Sequence, residues 1–182
     1  MFISAQMMQL RGKGIRDRFM EKGLIQIYSG EGYDKSAVML GRAIQIASTG
    51  RDVVIINFLK RNLNEILLKR MEPEIKIFRF EKSEVEFAQL SDEHKQEEIY
   101  NIKNGLNFAK KVLTTGECGL LILDEVLGLI DNNIITIEDL HHILKMKSED
   151  VDIILTGAHL NDDMCQLADK IFKIEAVNYK VY

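Results

Sequence analysis

Tryptophan is absent from this chain of 182 residues, proline occurs once, at Pro73, and cysteine only twice, at Cys118 and Cys165. Two cysteines far apart, with no Cys-x-x-Cys spacing, give no basis for a disulfide framework or a zinc site. A reducing cytoplasm is the expected compartment. No Ser/Gly-rich linker, internal repeat or low-complexity segment interrupts the chain. Long apolar runs are missing too. Arg11, Lys13, Arg16, Asp17 and Arg18 break up the first stretch, so neither a secretory leader nor a membrane span is expected. Charge of one sign is not in excess. A formal net charge of -4 gives no broad electrostatic reason to expect nucleic acid as a partner. What remains is a composition of 46% hydrophobic and 29% charged residues, enough to bury one ordinary globular core.

Short apolar runs alternate with longer amphipathic stretches. The runs are Leu24–Tyr28, Val53–Phe58, Ile75–Phe80, Leu120–Leu123 and Ile153–Leu155, with Ile171–Ile174 a weaker sixth. They are continuous rather than alternating, as expected of strands covered on both faces. Between them, residues 36–48 and 91–113 carry apolar side chains at three- and four-residue steps, which predicts helices. Thr136 with Asp139 reads as a helix-start capping pair. Strand and helix in alternation, with no hairpin signal, predict a doubly wound α/β domain with a mainly parallel sheet and helices on both faces. Ligands of such sheets bind beyond the carboxyl ends of the strands. That rule places Ser29–Ser36, Asp124–Glu125 and Thr156–His159 along one edge.

The first of these segments reads Ser29-Gly30-Glu31-Gly32-Tyr33-Asp34-Lys35-Ser36, with Ala37 continuing into the helix. Small residues let backbone N–H groups turn around an anion. A lysine can then reach the phosphates, a hydroxyl a magnesium ion, and the helix N-terminus adds positive charge. Gly30, Gly32, Lys35 and Ser36 meet those needs, which makes the domain P-loop NTPase-like. Asp34 and Ser29 stand where the usual phosphate-loop pattern has glycine. The alternative is a glycine-rich turn that binds nothing. The second segment is an apolar strand ending in Asp124 and Glu125, candidate metal ligands together with Ser36. Read alone, it could equally be a strand ending in solvated carboxylates.

Taken together these residues resemble the ATP:corrinoid adenosyltransferase family. The matching stretches are Gly23–Gly32, Asn57-Phe58-Leu59-Lys60, Leu123-Asp124-Glu125-Val126, Ile153–Gly157 and Leu167-Ala168-Asp169-Lys170-Ile171. They keep the family's order and spacing across residues 23 to 178. The resemblance implies transfer of the 5′-deoxyadenosyl group from ATP to the Co(I) of a reduced corrinoid, with triphosphate leaving. It implies ATP and corrinoid as substrates, Mg2+ or Mn2+ as the metal, and Lys35 and Glu125 as catalytic residues. The loop from Ser29 to Ala37, with Asn57, Thr156 and His159, would bind the nucleotide. Residues 1–22 look like the family's N-terminal helical segment, ahead of a single P-loop domain over 23–182. That segment implies a homodimer, and a reductase would supply the reduced corrinoid.

The chain departs from the family at Tyr33 and Asp34, and at Ala158 and His159 where an arginine usually follows the Thr-Gly pair. The family's aromatic pair has no tryptophan here, leaving Phe80 and Phe87 as candidates, and Val177-Asn178-Tyr179-Lys180 replaces its closing segment. A non-catalytic relative that binds nucleotide or corrinoid therefore stands beside the enzyme reading. Another P-loop kinase or NTPase ranks last, for want of a lid, a catalytic arginine or an acceptor site. Met39 reads as a core gap-filler, whereas Met7, Met8 and Met20 could line an apolar ligand. His141 and His142 read as surface or packing residues, and neither cysteine has an evident activating neighbour.

Overall fold

The computed structural model describes residues 22–32, 34–59, 70–83 and 85–177. The expectations for residues 1–21, Tyr33, Lys60 and residues 178–180 lie outside the described residues, as does the side chain of Asp34. The order of elements is β1 (Ile25–Ser29), α1 (Asp34–Ala47), β2 (Val53–Asn57), β3 (Ile75–Arg79), a 3-10 turn (Phe87–Gln89), α2 (Asp92–Thr115), β4 (Leu120–Asp124), α3 (Val126–Asp131), α4 (Ile137–Leu144), β5 (Asp152–Gly157), α5 (Asp162–Cys165) and β6 (Lys170–Lys173). The six expected strands are all present, each shifted by no more than two residues at either end.

They form one six-stranded sheet in the order β3-β2-β4-β5-β1-β6, with every pairing parallel. The central strands β2 and β4 are buried at all five positions, which is why they read as unbroken apolar runs. Edge strand β6 is exposed at all four of its positions, and its sequence signal is weak for the same reason.

Alternation across the pleat divides the core in two. One face carries Ile27, Val54, Ile56, Leu121, Leu123, Ile153 and Leu155 against α2, α3 and α4. The other carries Val53, Ile55, Leu120, Ile122 and Ile154 against Met39, Ala43 and Ile46 of α1. Helices therefore cover both faces, and Met39 fills the core with no exposed surface, as expected. Helix α2 starts at Ser91, whose hydroxyl accepts from His94 N, and ends at Gly116 in the left-handed region. Thr136 and Asp139 form the expected capping box at the head of α4, where His141 and His142 lie exposed.

Candidate functional site

Strand register determines which polar side chains meet. Asn57 on β2 pairs with Asp124 on β4, and Thr156 on β5 pairs with Tyr28 on β1. Asn57, Asp124 and Thr156 each sit two residues beyond a core residue of the α1-facing layer, and Tyr28 belongs to that layer itself, so all four side chains point to that face. The Thr156 hydroxyl donates to Asp124 Oδ1 at 2.6 Å, and Asn57 Nδ2 donates to Asp124 Oδ2 at 2.8 Å. Asp124 and Thr156 have no exposed surface and Asn57 only 2%. The buried carboxylate is thus held by donors from both neighbouring strands. Thr156 Oγ1 also accepts from Glu125 N at 2.8 Å, which ties the turn after β4 to β5. Burial beside this row pushes the Tyr28 hydroxyl above its ordinary pKa, opposed by the Arg42 charge, so the phenol stays neutral.

The loop after β1 ends at this same edge. Gly30 N donates to Gly157 O at 3.2 Å and Ile174 N donates to Ser29 O at 2.8 Å, so the ends of β5 and β6 flank the loop. A side chain at Gly30 would collide with the Ile174 carbonyl oxygen, which explains glycine there. Gly32 adopts φ +76, a conformation that glycine reaches at little cost. Lys35 is fully buried. Its Nζ lies 2.9 Å from Gly30 O and 2.7 Å from Glu125 Oε1. A buried ammonium is stable only with such partners, and an incoming anion must compete with Glu125 for it. Ser36 is buried beside it, and Ser29 Oγ has no hydrogen-bond partner among the described residues. Glu31, Gly32 and Ala37 are exposed.

Beside the Lys35–Glu125 pair opens a cleft of about 260 Å³. Leu59, Phe87, Ala88 and Gly128 give it apolar walls. Glu86, Glu125 and Asp131 bring carboxylates, and Asn132 and His159 complete the polar lining. Two residues of this cleft, Leu59 (φ 53) and Glu125 (φ 61), occupy the left-handed region although neither is glycine. A bulky aliphatic residue in that conformation is strained and persists only where packing imposes it. Leu59 packs against Gly128, where an added Cβ would lie 2.7 Å from its Cδ1.

The structure therefore brings Ser29, Gly30, Lys35, Ser36, Asn57, Asp124, Glu125 and Thr156 to one edge of the sheet. His159 sits at the cleft rim, 76% exposed, with Nδ1 3.3 Å from Asp131 Oδ2. Of the two candidate aromatics, Phe87 lines the cleft, whereas Phe80 packs beside Phe108 at 5.8 Å in the core. Sequence reasoning did not single out Glu86, Asp131, Asn132 or Gly128. They lie on, or directly beside, a 3-10 turn and a short helix that carry no motif. Glu98 was missed as well. It is a buried acid on α2 that accepts from Lys82 N and Ser83 N at 3.1 and 2.7 Å and anchors the segment leading to that turn. Its only sequence signal is a carboxylate on the apolar face of α2.

Comparison with known proteins bears on the family and the fold. The Corrinoid adenosyltransferase of Escherichia coli (strain K12) is 20% identical over 165 residues, covering 87% of this chain and 80% of that protein. An uncharacterized protein of Nostoc sp. (strain PCC 7120) is 24% identical over 180 residues, covering 87% of this chain and 43% of that protein. Among solved structures, a KaiC-like protein from Pyrococcus horikoshii superposes with a TM-score of 0.57 at 17% identity, over 86% of this chain and 75% of that one. That likeness supports the P-loop-type fold. The family model for ATP:corrinoid adenosyltransferase BtuR/CobO/CobP matches residues 21–181, and the chain belongs to that family.

Proposed function

We propose that this chain transfers the 5′-deoxyadenosyl group of ATP to the cobalt of a reduced corrinoid and releases triphosphate. The observation that carries the proposal is the fully buried Lys35, held between Gly30 O and Glu125 at the head of α1. A triphosphate supplies the negative charge that could draw this ammonium away from Glu125. In this reading Lys35 and the loop from Ser29 through Gly30, Glu31, Gly32, Tyr33, Asp34 and Ser36 to Ala37 hold the triphosphate, with the Gly30 N–H kept on Gly157 O. Asn57 and Thr156 fix Asp124, and His159 stands at the rim.

A Mg2+ or Mn2+ ion would be held by Ser36 Oγ and the Asp124 carboxylate, joined by Glu125 once it leaves Lys35. Hard oxygen donors of this kind suit either ion. Among the described residues no group of three or more His, Cys, Asp or Glu side chains could hold a metal. Such an ion takes most of its ligands from phosphate and water, so two or three protein donors fit it. When bound it would neutralise charge on the departing triphosphate.

The chemistry balances as a substitution at carbon. The Co(I) electron pair forms the bond to C5′, the C5′–O bond breaks, and triphosphate leaves with the bonding pair while cobalt becomes Co(III). The protein's share is alignment of the two reactants and stabilisation of the leaving charge. We extend the reading to a single P-loop domain over residues 23–182 and an N-terminal segment over 1–22. The protein would act as a cytoplasmic homodimer with a reductase supplying reduced corrinoid. No helix among the described residues is long and apolar enough to cross a membrane.

Calorimetric titration with MgATP, followed by anaerobic addition of Co(I) corrinoid, tests the proposal. A cobalt–carbon spectrum that forms only with both substrates supports it, and phosphate release without corrinoid refutes it. The Lys35–Glu125 pair also supports a second reading, a non-catalytic relative whose lysine stays on Glu125. That protein would bind corrinoid and leave its spectrum unchanged.

A further inference from the structure

The cleft beside Glu125 bears on which corrinoid the protein takes, an inference that rests on the function proposed above. About 260 Å³ is too small for a whole macrocycle and fits one edge of it with the substituents that edge carries. The walls are apolar at Leu59, Phe87 and Gly128, suited to the rim of a conjugated ring. The polar groups on the lining are acceptors or acids for the most part: Glu86, Asp131 and the Asn132 amide. No lysine or arginine lines the cleft among the described residues. The single basic ring, His159, already faces Asp131 at 3.3 Å, and Lys35, the nearest buried ammonium, is held by Glu125.

Corrinoids differ at their periphery. The side-chain carboxyls are either free acids or have been converted to amides. An amide N–H donates to a carboxylate, whereas a free carboxylate is repelled by Glu86 and Asp131 and meets no lysine or arginine among the described lining residues. We propose that the cleft selects corrinoids whose peripheral carboxyls are amidated, with Glu86 and Asp131 as the residues that determine this specificity. Leu59 and Glu125 support the choice by holding its walls in place. Both keep left-handed backbone that only their surroundings can maintain, so the cleft is formed before the ligand arrives.

The test is equilibrium binding, with MgATP present, of two probes: cobinamide, with its peripheral carboxyls amidated, and cobyrinic acid a,c-diamide, with most of them free. Cobinamide is expected to bind at least about tenfold more tightly, one like-charge contact being worth that much or more. The preference should shrink with added salt, because exposed charges are screened. The Glu86→Gln/Asp131→Asn double variant, altered only at exposed positions, should gain affinity for the acid and bring the two probes within about threefold. Equal binding of both probes by the unaltered protein, or a preference that the double variant keeps in full, overturns the specificity while leaving adenosyl transfer standing. Binding of neither probe, with no cobalt–carbon spectrum, overturns the specificity and the proposed function together.

Discussion

The two ends of the sheet are built differently. At the amino end, polar groups are paired through backbone. Arg51 donates to Gly119 O at 2.8 Å and Asp150 O at 2.6 Å and reaches Asp152 Oδ2 at 3.3 Å. Asp152 also accepts from Leu24 N at 2.9 Å, and Asp169 from Ile25 N at 2.8 Å. At the carboxyl end, Ser29 Oγ and Asn57 Oδ1 are buried without a hydrogen bond among the described residues, and Lys35 is shared between a carbonyl and Glu125. Leu59 and Glu125 hold strained backbone at that end. One end ties strands together; the other keeps polar capacity in reserve at a cost in stability. Sites that bind ligands are expected to carry such reserve.

Lys35→Ala should break the contrast most severely. MgATP affinity should fall by about a hundredfold or more, since a charge-assisted contact to phosphate is lost. Stability should also fall, by about 3 kcal/mol, because Glu125 loses its buried partner. Adding Glu125→Gln to Lys35→Ala should restore much of the melting temperature and none of the nucleotide binding. Should both recover together, the lysine would not be a phosphate ligand. Thr156→Val keeps the shape but removes the donor to Asp124 and the acceptor for Glu125 N. Chemical denaturation should report a loss of about 2–3 kcal/mol. MgATP affinity should drop with it, because Asp124 is no longer fixed from the β5 side.

The sheet was largely legible in the sequence, for a physical reason. Strands covered on both faces must be apolar at every position, so Val53–Asn57 and Leu120–Asp124 announce themselves. The edge strand Lys170–Lys173 carries little of that signal. The meeting of Ser29, Asp124 and Thr156 at one edge was legible too, because a parallel doubly wound sheet puts the carboxyl ends of its strands together. The cleft was not. Its lining comes from the 3-10 turn at Phe87–Gln89 and from α3, where Glu86 and Asp131 look like ordinary solvated acids. Nor does residue type reveal that Leu59 turns left-handed, since leucine rarely does so. The Leu167-Ala168-Asp169 segment, one of the stretches that carried the family resemblance, serves the sheet: Asp169 binds Ile25 N at the amino end, away from the site.

Arg51→Ala sharpens the comparison from the other side. The guanidinium is 39% exposed, so its bonds to two carbonyls should be worth about 1–2 kcal/mol in an unfolding titration. MgATP affinity should stay within about twofold of the unaltered protein, because the variant touches only the amino end. A large loss of affinity would mean that the two ends are coupled, and the division drawn above would fail.

The two cysteines offer the smallest effect. Cys118, next to the Arg51 clamp, is buried, and burial pushes its thiol up to about 11 despite the nearby Arg51 charge. Cys165, the last residue of α5, is only partly buried. Thiolate is the reactive form, so at pH 8 a maleimide should label Cys165 first and Cys118 only slowly. Because the folded pKa of Cys118 is raised, the stabilisation it reflects is fully present below the unfolded thiol value, near 8.5. It declines as pH rises through that value toward about 11. Cys118→Ser should flatten the decline slightly. Labelling of Cys118 as fast as Cys165 in the folded protein would mean that the amino end opens readily, contrary to its dense backbone pairing.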